Sequence, residues 1–141
     1  MKELTIIHQQ ELPIVIDDIK QLEKKHNITI SNNITNFILK YGGTTVKEIC
    51  FNNIYFIHQF LDIKLIDAIL EGHKDYEVFD YLPFVIDGGG WDYNVSLKKE
   101  TYGQIWVNKW DNGDGVGEEC FFFIANSFEE FIDGLQAEEG V

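Results

Sequence analysis

Three consecutive glycines, Gly88–Gly90, separate an apolar run, LPFVI, from a run of alternating polarity, YNVSL. Glycine adopts positive φ angles without steric cost, so a segment of this kind can reverse the chain in a tight turn. The runs on either side have the length and composition of β-strands. The sequence therefore predicts a strand, a glycine turn and a second strand, which limits the fold to one that contains a sheet.

The same glycines could also belong to a phosphate-binding loop, but their neighbours do not fit one. A dinucleotide-binding fingerprint that starts at Gly88 requires glycine or a close substitute at position 93, where this chain has Tyr93. A Walker loop requires Gly-Lys-Ser or Gly-Lys-Thr, and the sequence contains neither. We therefore interpret Gly88–Gly90 as a structural turn.

Two amphipathic helices are predicted near the start of the chain. The segment IDDIKQLEKKHN places Ile16, Ile19 and Leu22 on one face, with Asp17 as a candidate N-cap. The segment NNITNFILKYGG has a second apolar stripe, and Gly42 is its candidate left-handed C-cap. The residues of this stripe are Ile34, Phe37, Ile38 and Tyr41.

The middle of the chain combines a hairpin with a third helix. Asn52 and Asn53 tolerate positive φ and lie between two strand-like runs, which predicts a two-residue hairpin turn. Helical spacing then returns in DIKLIDAILEGHKDY, and the helix is predicted to end near Gly72. The apolar positions of this helix are Ile63, Ile66 and Leu70.

The second half of the chain is predicted to be mostly strand, in YLPFVI, YNVSL, GQIWVNKW and CFFFIA. The run Phe121–Phe123 is interpreted as a central strand buried on both faces. Ser127 and Glu130 form a capping box at the start of a last helix, whose apolar face contains Phe128, Phe131, Ile132 and Leu135. We predict a single domain over residues 1–141 of the α+β class, with a mostly antiparallel sheet between helices.

The charge of the chain limits the partners that it can bind. The 141 residues carry a net charge of −13, and all eleven basic residues are lysines. The lack of arginine removes the usual bidentate contact to phosphate and guanine, which argues against nucleic-acid binding. Residues 1–82 have a net charge of −4 and residues 83–141 one of −9. Such an acidic surface repels anionic membranes and attracts cations or basic proteins.

The histidines and cysteines of the sequence do not have the spacing that is typical of catalytic or metal-binding sites. The four histidines lack zinc-binding spacing, and we interpret them as helix-end or surface residues. They are His8, His26, His58 and His73. Cys50 and Cys120 have apolar neighbours and no C-x-x-C spacing, which predicts buried thiols. The opening MKELTIIHQQ has no continuous apolar region, and we predict a cytoplasmic location.

The loop DNGDGVGEE, residues 111–119, is rich in oxygen ligands. It has glycines where the calcium loop of an EF-hand requires carboxylates or amides, so it is not an EF-hand. We interpret it as an acidic loop. The alternative is a weak cation site formed by Asp111, Asp114 and Glu118.

Aromatic residues next to this loop are typical of a binding surface. In QIWVNKW, the alternation places Trp106, Asn108 and Trp110 on one face of a strand, and Trp91 follows the glycine turn. Two tryptophans and an asparagine beside an acidic loop have the composition of an interface hot spot. The alternative is that a helix covers this face, which would make the tryptophans part of the core.

The ordered set of elements resembles the SUKH superfamily, the Smi/Knr-like domain, over nearly the full chain. The most specific parts are the helix segment around Leu22 and Glu23, the Gly42-Gly43 helix stop, the LPF segment with its glycine turn from Leu82 to Gly90, and the Ser-Phe-x-x-Phe-x-x-x-Leu helix from Ser127 to Leu135. One difference is that family members usually have a proline at the start of the second helix, where this chain has Ile30-Ser31.

The resemblance implies a two-layer α+β domain with an antiparallel sheet and no active site. Bacterial members are similar to immunity proteins that bind and neutralise a cognate polymorphic toxin, often a nuclease, and fungal relatives regulate cell-wall assembly. A small single-domain chain fits the bacterial kind. We therefore expect a non-enzymatic protein without a cofactor, whose partner is a basic toxin protein and neither nucleic acid nor membrane.

We predict that this partner contacts an acidic surface that carries aromatic residues. The predicted contact residues are Trp91, Tyr93, Trp106, Trp110, Asp111, Asp114, Glu118 and Glu119. Two other functions stay open at this point. One is a metal-assisted hydrolase that uses Asp87, Asp92 and the acidic loop, and the other is a small-ligand or sugar-binding module built on the tryptophans.

Overall fold

The computed structural model describes residues 1–10, 12–111 and 115–138. Within these ranges, the chain forms four α-helices: α1 (Ile16–His26), α2 (Asn32–Tyr41), α3 (Ile63–Asp75) and α4 (Phe128–Asp133). The nine strands in the same ranges are β1 (Ile6–His8), β2 (Thr45–Val46), β3 (Glu48–Phe51), β4 (Tyr55–Phe60), β5 (Tyr81–Asp87), β6 (Asp92–Ser96), β7 (Ile105–Asn108), β8 (Phe121–Ala125) and β9 (Leu135–Ala137). A short 3-10 helix, Gly117–Cys120, precedes β8.

Seven of these strands form one antiparallel sheet in the order β8-β7-β6-β5-β4-β3-β9. Strands that follow one another in the chain are mostly neighbours in the sheet, as expected when turns are short. The exception is β9, which returns from the end of the chain to pair with β3. A separate pair, β1 and β2, is also antiparallel. The α+β class and the antiparallel sheet are as predicted.

The core lies where the helices pack against this sheet. The predicted apolar stripe of α2 is buried, with all four of its residues at most 6% exposed. Phe37 of α2 contacts Phe60 and Phe128 edge-on, with ring centroids 5.1 and 5.0 Å apart. Phe131 of α4 stacks on Phe51 at 4.9 Å. The helices therefore bury their aromatic residues against the sheet, which is the main driving force for the fold.

The ends of the first two helices differ from the prediction. Val15, not Asp17, is the N-cap of α1, and the Asp18 carboxylate accepts a hydrogen bond from the Val15 amide at 3.0 Å. At the end of α2, the residue with positive φ is Gly43 (77°), whereas Gly42 has a φ of −57°. Gly42 is thus the C-cap of α2, as predicted, but the left-handed residue is the next one, and the start of α1 lies two residues before the predicted N-cap.

The turn between β3 and β4 has the predicted backbone conformation. Asn52 and Asn53 have positive φ angles of 53° and 57°. The pairing of Phe51 with Tyr55 leaves three residues in the loop, one more than predicted.

Within the described part of the chain, none of the helices has the length and hydrophobicity needed to cross a bilayer.

The last helix begins with the predicted cap. The Ser127 hydroxyl accepts a hydrogen bond from the Glu130 amide at 3.0 Å. The Glu130 carboxylate accepts from the amide of Asn126 at 2.8 Å, one residue before the expected partner. The helix ends at Asp133, and Leu135 belongs to β9 instead of the helix.

The interpretation of Phe121–Phe123 as a central strand was wrong. Strand β8 is at one edge of the sheet, and the side chains of Phe122 and Phe123 are 38% and 45% exposed. A run of apolar residues is typical of a strand buried on both faces, but large aromatic side chains can also extend over an edge. Phe123 does so by packing against Trp106, with ring centroids 5.8 Å apart.

Helix α3 continues past its predicted end at Gly72 to Asp75. A Cβ atom placed on Gly72 would have no neighbour within 4 Å. Alanine has a higher helix propensity than glycine, so we expect Gly72→Ala to raise the free energy of unfolding by roughly 0.5–1 kcal/mol. Urea denaturation followed by circular dichroism measures this change.

Gly42 provides the matched control for this prediction. A Cβ atom at Gly42 would lie 2.7 Å from the carbonyl oxygen of Ile38, so Gly42→Ala should lower the free energy of unfolding. A loss of stability in Gly72→Ala as large as that in Gly42→Ala would contradict the view that the fold does not require a glycine at position 72.

Candidate functional site

The turn between β5 and β6 forms one end of the candidate site. The Asp87 carboxylate accepts hydrogen bonds from the amides of Gly89 and Trp91, at 2.9 and 3.0 Å. Gly90 has a φ of 91°, in the region that favours glycine. The glycine segment is therefore a structural turn, as predicted, and Asp87 stabilises it.

Three of the predicted contact residues lie together at this turn. The Trp91 indole donates a hydrogen bond to the Asp111 carboxylate at 2.6 Å. The Trp110 indole donates to the carbonyl oxygen of Gly90 at 3.0 Å, and the Trp110 side chain is 55% exposed. The ammonium of Lys109 is 5.2 Å from the centre of the Trp91 ring, a cation–π distance. We call Trp91, Trp110 and Asp111 the turn patch.

Two other predicted residues lie near the end of the sheet formed by β7 and β8. Trp106 is half-buried and packs against Tyr81 and Phe123, with ring centroids 6.5 and 5.8 Å apart. Glu118 pairs with Lys98, whose ammonium lies 5.4 Å from the centre of the Tyr81 ring. Trp106 therefore contacts Tyr81 directly, and Glu118 is connected to Tyr81 through Lys98. None of these interactions involves a residue of the turn patch.

The remaining predicted residues have different positions. Tyr93 is only 1% exposed and packs against Tyr55 and Phe131, so it is not available to a partner. Its burial raises the pKa of the Tyr93 phenol well above the ordinary value. Glu119 is exposed in the 3-10 helix, and Asp114 lies outside the described residues. Tyr93 was assigned to the surface because the alternation in β6 does not reveal that both faces of this strand are covered.

A buried polar cluster lies next to the turn patch, centred on Asp92 of β6. The Asp92 carboxylate accepts hydrogen bonds from His73 Nε2 and Asn94 Nδ2, both at 2.8 Å, and from Asn108 Nδ2 at 3.2 Å. All four residues are at most 8% exposed. Buried polar groups are usually retained only when they are hydrogen-bonded, and this carboxylate satisfies three donors.

The sequence interpretation missed this cluster. His73 was assigned to a helix end or the surface, and Asn108 to the strand face that carries Trp106 and Trp110 and was interpreted as a binding surface. His73 is in the last turn of α3 but is buried, because it extends the apolar stripe of Ile66 and Leu70 by one further turn. The spacing of seven residues from Ile66 to His73 is the signal that could have found it.

A cavity of about 370 Å³ opens beside the cluster. Helix α3 contributes Ile69 and His73 to its wall, its C-cap contributes Tyr76, and the sheet contributes Asp92, Asn108 and Phe121. Trp110 of the turn patch and the segment 115–117 are also among the described residues of the wall. The cavity thus combines apolar and aromatic side chains with a few polar groups, which is the usual composition of a ligand pocket.

Cys120 also lines this cavity, but it is not poised as a nucleophile. Its thiol donates a hydrogen bond to the Gly115 carbonyl oxygen at 3.4 Å, and not to His73. Burial raises the pKa of the Cys120 thiol, and the charge of Glu119 raises it further. The group is therefore a protonated thiol at neutral pH, which is a weak nucleophile. Cys50 and Cys120 are both buried and unpaired with each other, as predicted.

The residues considered for metal-assisted hydrolysis have structural contacts. Asp87 stabilises the glycine turn, and Asp92 is held by three donors. Among the described residues, the group with spacing compatible with a metal ion is elsewhere, at His26, Asp67 and Glu71. The ammonium of Lys25 lies 2.9 Å from Asp67 and already provides a cation at this position. Hydrogen bonds from His26 and Lys25 lower the pKa of the Asp67 carboxyl.

The model of the SMI1/KNR4 family (SUKH-1) matches residues 13–134 of this chain. This range contains all four described helices and the strands β2 to β8, including the glycine turn, the polar cluster and the walls of the cavity. No curated protein matches the chain.

Proposed function

The chain belongs to the SMI1/KNR4 family (SUKH-1), and we propose that it is a non-enzymatic cytoplasmic immunity protein that binds and neutralises a cognate bacterial toxin. The observation that carries this proposal is the turn patch, where the exposed Trp110 lies next to Trp91 and Asp111. A tryptophan fixed by its own hydrogen bond offers a large rigid contact, and such residues provide much of the energy of interfaces.

The charge of the protein indicates the nature of the partner. The net charge is −13, and the second half of the chain, which contains the turn patch, is the more acidic half. A basic toxin, such as a nuclease, would be attracted to this surface before contact and would bind faster at low salt. The aromatic side chains would then slow dissociation.

The first test is capture of the partner by the tagged protein from its native cells, at low and then raised salt, followed by mass spectrometry. We expect a basic protein in stoichiometric amount.

Once this partner is purified, Asp111→Lys should reduce the association rate about tenfold at low salt and flatten its dependence on salt, because a steering charge is reversed. Stopped-flow measurement of tryptophan fluorescence gives both quantities.

Glu3→Lys is the matched control, since it changes the net charge by the same amount at an exposed position near the N-terminus. An equal reduction in both variants would show that only the total charge matters and would remove the turn patch from the interface. Failure to capture a stoichiometric protein from cells that make the toxin would contradict the immunity function itself.

A further inference from the structure

We propose that the cavity beside His73 and Asp92 receives a lysine or arginine side chain of the protein partner. The inference rests on the proposed function for the source of this side chain. The residues that line the cavity favour an organic cation with an apolar stem, whatever molecule carries it.

The Asp92 carboxylate in the wall of the cavity can accept a further hydrogen bond. Asp92 Oδ2 accepts two hydrogen bonds of 2.8 Å, from His73 and Asn94. Asp92 Oδ1 accepts only the longer bond of 3.2 Å from Asn108, although a carboxylate oxygen can accept two. Asp92 lines the cavity, so a charged N–H donor that enters can form a charge-assisted bond with it.

The histidine in the wall adds a second polar atom. A carboxylate can only accept a hydrogen bond, so the hydrogen between His73 and Asp92 belongs to His73 Nε2. His73 Nδ1 is buried and has no hydrogen-bond partner among the described residues. In the neutral ring, this nitrogen is an acceptor. No lysine is present among the described residues that line the cavity, so beside a neutral His73 an entering cation meets the Asp92 carboxylate and no positive charge of the chain.

The side walls fit the rest of such a group. The rings of Tyr76, Phe121 and Trp110 line the cavity, and aromatic faces attract ammonium and guanidinium groups. Ile69 and Val78 provide apolar contacts for a hydrocarbon stem. The volume of about 370 Å³ is large enough to admit a lysine or arginine side chain.

Gly72 of α3 is a position at which a substitution can narrow the cavity. This residue lines the cavity and is exposed, and a Cβ atom added to it would have no neighbour within 4 Å. The fold therefore does not require a glycine here, and the helix would be more stable with alanine. The Cβ of a larger side chain at position 72 would displace no atom, and we expect such a side chain to narrow the mouth of the cavity.

The proposal is tested with small probes and the whole purified protein. The probes are the Nα-acetyl N-methylamides of lysine and arginine, with the Nε-acetylated lysine compound as the neutral control. We expect both basic probes to bind with a Kd on the order of 1 mM and to shift the NMR signal of the Trp110 indole N–H. The neutral compound should bind at least tenfold more weakly. Trp110→Phe assigns the signal.

Two variants locate the binding in the cavity. Gly72→Leu should weaken binding of both basic probes at least tenfold by blocking the mouth. Asp92→Asn should also weaken binding of both basic probes at least tenfold, because it removes the negative charge and keeps a side chain of the same shape. Ala68→Leu, at an exposed position one turn earlier in α3, should leave the affinity unchanged. Circular dichroism confirms that each variant is folded.

Equal binding of the neutral and basic probes would overturn the proposal, as would basic-probe binding that Gly72→Leu does not affect. These outcomes are distinct from failure of the proposed function. A captured partner whose association depends on Asp111 would keep the immunity function even if no basic probe enters the cavity.

Discussion

Replacing Asp92 by alanine is expected to lower the free energy of unfolding by about 3–5 kcal/mol. The substitution removes the acceptor shared by His73, Asn94 and Asn108, and each of these donors is buried. A buried donor that loses its partner pays its full desolvation cost, and the three residues that donate to Asp92 are at most 8% exposed. Urea denaturation followed by circular dichroism measures the loss.

Two further variants distinguish the cause of this effect. Asp92→Asn keeps one acceptor oxygen and the shape of the side chain, so it should be less destabilising than Asp92→Ala. Asp111→Ala removes a carboxylate that also accepts an indole hydrogen bond but is exposed, and should change the free energy of unfolding by less than about 1 kcal/mol. Similar losses in Asp92→Ala and Asp111→Ala would contradict a special role for the buried cluster.

The elements that the sequence predicted well are those defined by local spacing. The stripe of α2 follows from residues three and four positions apart, and every one of its residues is buried. The glycine turn follows from the ability of glycine to adopt positive φ angles, and Gly90 has such an angle. In both cases the residues that determine the structure are close in sequence, so no knowledge of tertiary packing is needed.

The features that were missed depend on contacts between distant residues. Strand β9 has three residues and exists because it pairs with β3, more than eighty residues earlier. The edge position of β8 and the burial of Tyr93 depend on strand order and on which helix covers each face. The cavity requires His73 of α3 to meet Asp92 of β6, which no motif spacing encodes. Local propensity cannot predict such features, because tertiary packing determines them.

A second large loss of stability is expected from removing one ring of the aromatic core. Phe131→Ala is expected to lower the free energy of unfolding by about 3–5 kcal/mol. The ring is fully buried, and it stacks on Phe51 at 4.9 Å and contacts Phe84 and Tyr93 with centroids 5.6 and 5.9 Å apart. Phe131 is one of three buried residues of the short helix α4, with Phe128 and Ile132, so its loss removes a large part of the contact between this helix and the core. The melting temperature should fall by roughly 10 °C or more.

Phe123→Ala is the matched control, because it removes the same side chain from the edge strand β8. Phe123 is 45% exposed and contacts the half-buried Trp106, so its removal leaves no enclosed cavity and should cost less than about 1 kcal/mol. The comparison separates burial from residue type, since both changes delete one phenyl ring. Equal losses in the two variants would mean that the FFFIA strand is buried in solution, for example by self-association, which sedimentation velocity of the wild-type protein would detect.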